Sequence, residues 1–343
     1  MFTRKMHAIV PAVLLLAVVS PKQVRAWGNA GHEAVACVAW NQMTPAARAR
    51  VLALLKLAPT LHPASGKTIP GYAEWVADLP AGLSQGQQNL YLFMRAATWP
   101  DSIKHVGLHD SDTPPAHLTT EVNIGFTDKA SHGYWHFVDA AFASDKESVP
   151  ATPVPNAATQ IVALRQDIAS TESDLLKSYD LVWLEHLVGD IHQPLHGAVR
   201  YSSDKGDRGG NLVNIKLPLA MEKSFEGTLS RDAPTELHGF WDDLPGEGGP
   251  APAIPEAAAF AKTLPAASAS AVADVDPNDW ATESLTLAKK DAYAAPIGPG
   301  LQPPSGSKYV ITQAYYNTAM QDAKDRIALA GARLAKLLNE NLH

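Results

Sequence analysis

The residues best equipped for chemistry crowd into one apolar stretch, residues 179–197, YDLVWLEHLVGDIHQPLHG. Leu181, Trp183, Leu184, Leu187, Val188 and Ile191 leave little room for a polar face, so the pattern predicts a buried helix. The same stretch carries His186, Asp190, His192 and His196. His186 and Asp190 are four apart and project from one helix face. Pro194 ends or kinks the helix, which leaves His196 at the turn. Imidazole and carboxylate on a buried helix need something to offset their desolvation. A metal does so, and neutral imidazole with carboxylate suits Zn²⁺; the alternative is a pair of hydrogen-bonded core histidines. His192 lies out of phase with its neighbours and reads as structural.

Other residues of metal-ligand type stand in apolar surroundings elsewhere: His32, Asp101, His136, His238 and Asp242. His238 and Asp242 repeat the four-residue spacing of His186 and Asp190, and Asp243 beside them is expected to be exposed. One zinc takes three or four protein ligands. Five histidines and three aspartates are too many for one ion and suit two or three. His105, His109, His117 and His132 fall in a polar stretch containing Pro114-Pro115 and read as solvated loop residues outside the ligand set.

The elements that must position these residues are mostly helices. Apolar spacing predicts helices over residues 46–57, 87–97, 159–177, 277–294 and 309–338, besides the central one. Residues 72–76 are a short apolar run, 150–155 a linker, and 202–211 a polar glycine-rich loop. Residues 212–217 could form a short strand. Residues 245–277, rich in Ala, Pro and Gly, suggest a surface excursion with one short helix. No period of twenty to fifty residues recurs, so the chain is not a solenoid. The expected fold is mainly α in a single domain.

Composition bounds the context. The chain has 343 residues, 46% of them hydrophobic, enough for a substantial core. Residues 1–26 resemble a secretory signal peptide: Arg4 and Lys5, an apolar run over 8–19, then small residues up to Ala26. Cleavage there would make Trp27 the new N-terminus and leave a mature chain with no membrane span. The formal charge is −7; removing Arg4, Lys5, Lys22 and Arg25 from the 28 basic residues leaves 24 against 35 acidic, a net of −11. That disfavours a broad basic groove for duplex nucleic acid, though not phosphate-ester cleavage at a metal site, where bound ions supply local positive charge. Cys37 is the only cysteine, so no intrachain disulfide forms. No Asn-x-Ser/Thr sequon occurs.

Read together, the motifs resemble the S1/P1 nuclease family, the zinc-dependent single-strand nucleases related to bacterial zinc phospholipase C. The matching pieces are W-G-x-x-G-H at Trp27 to His32, W-P-D ending at Asp101 with Lys104 after it, W-H-F-V-D around His136 to Asp139, H-x-x-x-D-x-H-Q-P-L-H from His186 to His196, G-G-N ending at Asn211, and L-H-x-x-W-D around His238 to Asp242. They follow the family's order and cover residues 27–343, the expected catalytic domain. The resemblance implies a phospholipase C/P1 nuclease-like helical fold and three Zn²⁺. One would take Asp101, His136, His186 and Asp190; a second His196, His238 and Asp242. The third would take the Trp27 amino and carbonyl groups with His32 and Asp190, so that Asp190 bridges two sites. It also implies in-line attack on phosphorus by a water that a close zinc pair acidifies. Lys104 would meet the phosphate and Asp139 would orient nucleophile or substrate. Phe137 would stack a base and Asn211 would bond its edge. The implied substrates are single-stranded DNA and RNA, cut to 5′-phosphorylated products, and 3′-nucleotides, which lose their phosphate; the enzyme would be secreted or periplasmic with no stable protein partner. The runner-up is zinc phospholipase C; its final ligand is typically Glu, where this chain has Asp242. The family's plant and fungal disulfides and glycosylation sites are absent. The segments between Asp101 and His136, between His196 and His238, and after Pro245 look extended, which bears on substrate preference.

Overall fold

The computed structural model describes residues 27–63, 66–104, 125–128, 130–143, 148–202, 205–222, 233–246, 254–304 and 306–342. Helix α1 (Asn29–Gln42) starts directly after Gly28, and α2 (Pro45–Leu55) follows, capped by Thr44, whose side chain accepts from the Ala47 amide, with Pro45 in its first turn. The run at 72–76 forms α3 (Tyr72–Ala77), with Trp75 buried. Ser84 and Gln87 make a capping box for α4 (Gln85–Ala96). The short α5 (Trp99–Ser102) holds the W-P-D motif.

Strand β1 (Ala140–Ala143) precedes α6 (Ala157–Ala169) and α7 (Asp174–Asp190). The helix expected over 159–177 is therefore split. Ser170 is extended, and the Ser173 side chain accepts from the Leu176 amide, so residues 174–177 begin the central helix instead. Strand β2 (Ala198–Ser202) pairs parallel with β1 and antiparallel with β3 (Lys205–Gly206). The strand expected over 212–217 shrinks to β4 (Ile215–Lys216).

Helix α8 (Leu237–Asp242) carries the last His/Asp pair. Among its described residues, the stretch read as a surface excursion contains two short helices, α9 (Ile254–Ala261) and α10 (Ala269–Ala273); α9 buries Ile254, Ala257 and Ala258 and packs on α1 and α4. Helix α11 (Pro277–Leu287) runs into a π turn at Ala288–Ala292. Residues 309–310 are not helical: β5 (Tyr309–Val310) pairs parallel with β4, and Thr312 caps α12 (Gln313–Asn341). The described residues are thus mainly α with two minimal sheets.

Helix α7 is the hub. Every residue from Lys177 to Asp190 is buried, and α6, α2, α12 and α1 pack around it. The N-terminal part of α1 lies along its C-terminal part, where Gly189 admits the His32 ring: a Cβ there would fall 2.8 Å from His32 Nδ1. Among the described residues no helix is long and apolar enough to cross a membrane.

Candidate metal centre

Both ring nitrogens of His186 are accounted for by its place on α7. Its Nδ1–H donates to the Ala97 carbonyl at the end of α4 (2.7 Å), so Nε2 faces inward. That Nε2 lies 3.3 Å from Asp190 Oδ2, 3.7 Å from Asp101 Oδ1 and 2.9 Å from His136 Nδ1. His136 arrives on a 3₁₀ turn (Gly133–His136), with Nδ1 2.9 Å from Asp190 Oδ2. Asp190 Oδ1 is 3.3 Å from His32 Nε2, and the His32 ring stacks on His186 with centroids 3.8 Å apart. Trp27 is buried; its indole N–H donates to the Gly189 carbonyl (3.0 Å), one residue before Asp190.

The second cluster sits one turn beyond α7. His196 donates Nδ1–H to the His136 carbonyl (2.7 Å), and His238 donates Nδ1–H to the Gly209 carbonyl (2.6 Å). Each neutral ring therefore turns a bare Nε2 inward, and the two face each other at 3.2 Å. Asp242 Oδ2 is 3.4 Å from His238 Nε2, and Asp242 Oδ1 is 4.0 Å from His196 Nε2. The two clusters adjoin, with His196 Nδ1 4.0 Å from Asp190 Oδ1.

These groups fit metal ions. Two imidazole lone pairs at 3.2 Å repel unless a cation lies between them. Burial holds His196 down to about 4, so a proton does not serve at neutral pH. Burial likewise depresses His136 to about 3 and lowers His32. Burial disfavours charge on His186 too, but Asp190 and Asp101 overcome it and raise that ring above its ordinary range. Burial opposes charge on Asp101, yet Lys104 (Nζ 2.8 Å from Oδ1), His186 and His136 hold its carboxyl well below the usual range. Asp242 is pushed well up, first by burial and also by Asp243, Asp101 and Asp190. His32 Nε2, Asp101 Oδ2 and Asp190 Oδ1 are buried with no hydrogen-bond partner, a costly arrangement that a metal relieves. Three triads bring their ligand atoms within 4.8 Å of one another: His32, His186 and Asp190; Asp101, His136 and His186; His196, His238 and Asp242. All eight side chains singled out by type and spacing converge here.

The remaining expected site residues border this centre. The half-buried Phe137 stacks on His196 (centroids 4.5 Å apart, 28° between planes) and lies 6.0 Å from His238. With Asp139 and Asn211 it lines a cavity of about 670 Å³. Sequence reasoning missed Gln193, although it stands inside the H-Q-P-L-H motif. Its amide donates to Asp242 Oδ1 (2.6 Å) and its carbonyl accepts from the Leu195 amide, so it orients a candidate ligand of the second cluster.

His192 is structural as expected, donating to the Val188 carbonyl and accepting from Arg333. Two expectations fail. Asp243 is buried, because α8 ends against the N-terminal segment, where the Gly28 amide donates to the Asp242 carbonyl (2.8 Å). His132 is not solvated: it pairs with Asp128 and stacks on Trp135, with centroids 3.7 Å apart. His105, His109, His117 and the expected signal segment lie outside the described residues.

Comparison with known proteins agrees with this geometry. The family model described as S1/P1 Nuclease matches residues 27–343. Endonuclease 4 of Arabidopsis thaliana is 26% identical over 276 residues, covering 71% of this chain and 74% of the relative. Endonuclease 1 of the same plant is 24% identical over 360 residues, covering 96% and 91%. A buried His/Asp centre able to hold metal ions, an adjoining cavity and a match along the whole described chain lead to one conclusion: the chain belongs to the S1/P1 nuclease family and is a hydrolase of phosphodiester bonds.

Proposed function

We propose that the protein is a zinc-dependent endonuclease and 3′-nucleotidase that cuts single-stranded DNA and RNA to 5′-phosphorylated products and removes the phosphate of 3′-nucleotides. The observation that carries this reading is the facing pair of His196 and His238 Nε2 atoms, 3.2 Å apart, with Phe137 stacked beside them at the edge of the cavity. Three zinc ions are assigned. Asp101, His136, His186 and Asp190 would hold one; His196, His238 and Asp242 would hold the second. His32, Asp190 and the amino and carbonyl groups of Trp27 would hold the third. When bound, the ions acidify a water for attack on phosphorus and neutralise charge on the departing 3′ oxygen.

The chain's own groups do the rest. Lys104, 2.8 Å from Asp101, neutralises phosphate charge beside the centre. Asp139, on the cavity wall, orients the nucleophile or substrate, and Asn211 bonds the base edge. Phe137 offers a ring face to an unpaired base, an interaction that tolerates any sequence. A recessed cavity of this kind favours splayed single strands over stacked duplex. Residues 1–26 act as a cleaved signal peptide, which frees the Trp27 amine and sends the mature domain, residues 27–343, to the periplasm or the exterior. No stable protein partner is implied.

Purified mature protein is assayed side by side on single-stranded DNA, RNA, 3′-AMP and phosphatidylcholine, with zinc measured by elemental analysis. Release of 5′-phosphorylated products and of adenosine, with zinc bound, supports the proposal. Turnover of the lipid alone would replace it with a phospholipase C activity.

A further inference from the structure

Three non-glycine residues have positive φ among the described residues: His132, Asp139 and Arg208. Two of them, Asp139 and Arg208 (φ 54° each), line the cavity beside His196. The left-handed region costs an L residue about 1 kcal/mol or more, and such strain gathers at functional sites. Arg208 is fixed there by its neighbours. Its carbonyl accepts from both the Asn211 side-chain amide (2.7 Å) and the Asn211 backbone amide (3.2 Å). The next residue, Gly209 (φ 59°), gives its carbonyl to His238, and a Cβ at Gly209 would fall 2.5 Å from the Leu195 carbonyl oxygen. The Arg208 backbone is thereby locked between a candidate metal ligand and the residue assigned to the base edge, and Arg208 itself is exposed. It carries the only positive charge among the described residues that line the cavity.

We propose that Arg208 binds the phosphate on the 5′ side of the nucleotide stacked on Phe137, so that it selects polynucleotide chains over lone nucleoside 3′-phosphates. This rests on the nuclease reading. A nucleotide with its base on Phe137 and its 3′-phosphate at the His196 and His238 end of the cavity has its ribose between the two. Its C5′ leaves the ribose on the side away from the 3′ oxygen, toward the solvent edge, where the exposed Arg208 stands. In a polynucleotide that carbon bears the next phosphate; in 3′-AMP it bears a hydroxyl. A guanidinium fork suits phosphate oxygens in pairs, which a lysine does not reproduce.

The test uses 3′-AMP and adenosine 3′,5′-bisphosphate, which differ only at C5′, and a single-stranded oligonucleotide. The wild type is expected to prefer the bisphosphate. In Arg208→Gln the ratio of kcat/KM for bisphosphate over 3′-AMP falls about tenfold, a loss in the range of one exposed charge-assisted contact. Arg208→Lys keeps part of the preference. The salt dependence of oligonucleotide cleavage loses about 0.7 from its logarithmic slope in Arg208→Gln, the share of one phosphate contact on a single strand. An unchanged ratio and slope in a folded, zinc-loaded Arg208→Gln protein overturns the assignment while leaving the nuclease reading intact. Failure of the wild type to cleave the oligonucleotide and both nucleotides overturns both readings; cleavage of the oligonucleotide with equal turnover of the two nucleotides overturns the Arg208 assignment alone.

Discussion

Asp190 meets four histidines of the centre: His136, His186, His32 and, at 4.0 Å, His196. Its Oδ2 faces His136 and His186, and its Oδ1 faces His32. Asp190→Asn keeps the shape and removes the charge that, on the proposed assignment, would offset two ions. It is expected to bind about two fewer zinc ions than the wild type and to lower turnover of single-stranded DNA by about 10³-fold or more, since metal assistance supplies several kcal/mol. Metal analysis of the purified variant with a parallel assay checks this; full zinc content and near-normal turnover would remove the bridging role. The eight candidate ligands were legible because imidazole and carboxylate in apolar sequence have few uses. Gln193 was not, since an amide in a motif of stronger ligands draws no notice until its bond to Asp242 is seen. Asp243 misled for the opposite reason: its burial comes from the contact between α8 and Gly28, which local sequence does not encode.

At the scale of elements, the end of α7 is clamped by α11 and α12. Arg326 donates to the His192 carbonyl and to Glu283, and the fully buried Arg333 donates to His192 Nε2 and to both oxygens of Glu283. Ser284 donates to the Ile191 carbonyl. These bonds hold the turn between Asp190 and His196. Arg333→Met leaves His192 and Glu283 short of a partner. The expected cost is about 2–3 kcal/mol, discounted from a fully buried pair because Glu283 is partly exposed. A thermal melt of the zinc-free protein should fall by several degrees, and no change would show the clamp to be idle.

A second element-level effect lies near the middle of α7. Burial, with Asp167 and Glu172 adding like charge, pushes Asp180 up to about 8 from an ordinary 3.8. Between those values the folded chain holds a proton that the unfolded chain releases. Stability therefore falls as pH rises from about 4 to 8. Asp180→Asn is expected to flatten that fall and to be the more stable protein at pH 7.5. Melting curves across this range in zinc-free buffer check it, and parallel curves for the two proteins would contradict it.

At the scale of the whole molecule, the mainly helical fold was legible from apolar periodicity and scarce strand signals. Its boundaries were less so. The split between α6 and α7 depends on Ser173 acting as a cap rather than continuing an amphipathic run. The start of α12 depends on β5 pairing with β4, across almost a hundred residues of chain. The burial of α9 depends on the faces of α1 and α4 that receive it. Long-range packing decided all three, whereas the candidate centre announced itself through residue type.

The central claim is that this packing gathers five histidines and three aspartates, with the N-terminus at Trp27, into one centre that needs zinc to cleave phosphodiesters. The most direct measurement is a titration of zinc into metal-stripped protein lacking residues 1–26, following bound zinc and cleavage of single-stranded DNA together. The account expects cleavage to be absent at the start and to return in step with binding, levelling off at three zinc ions per chain. Cleavage that persists in stripped protein, or full zinc loading without cleavage, would contradict it.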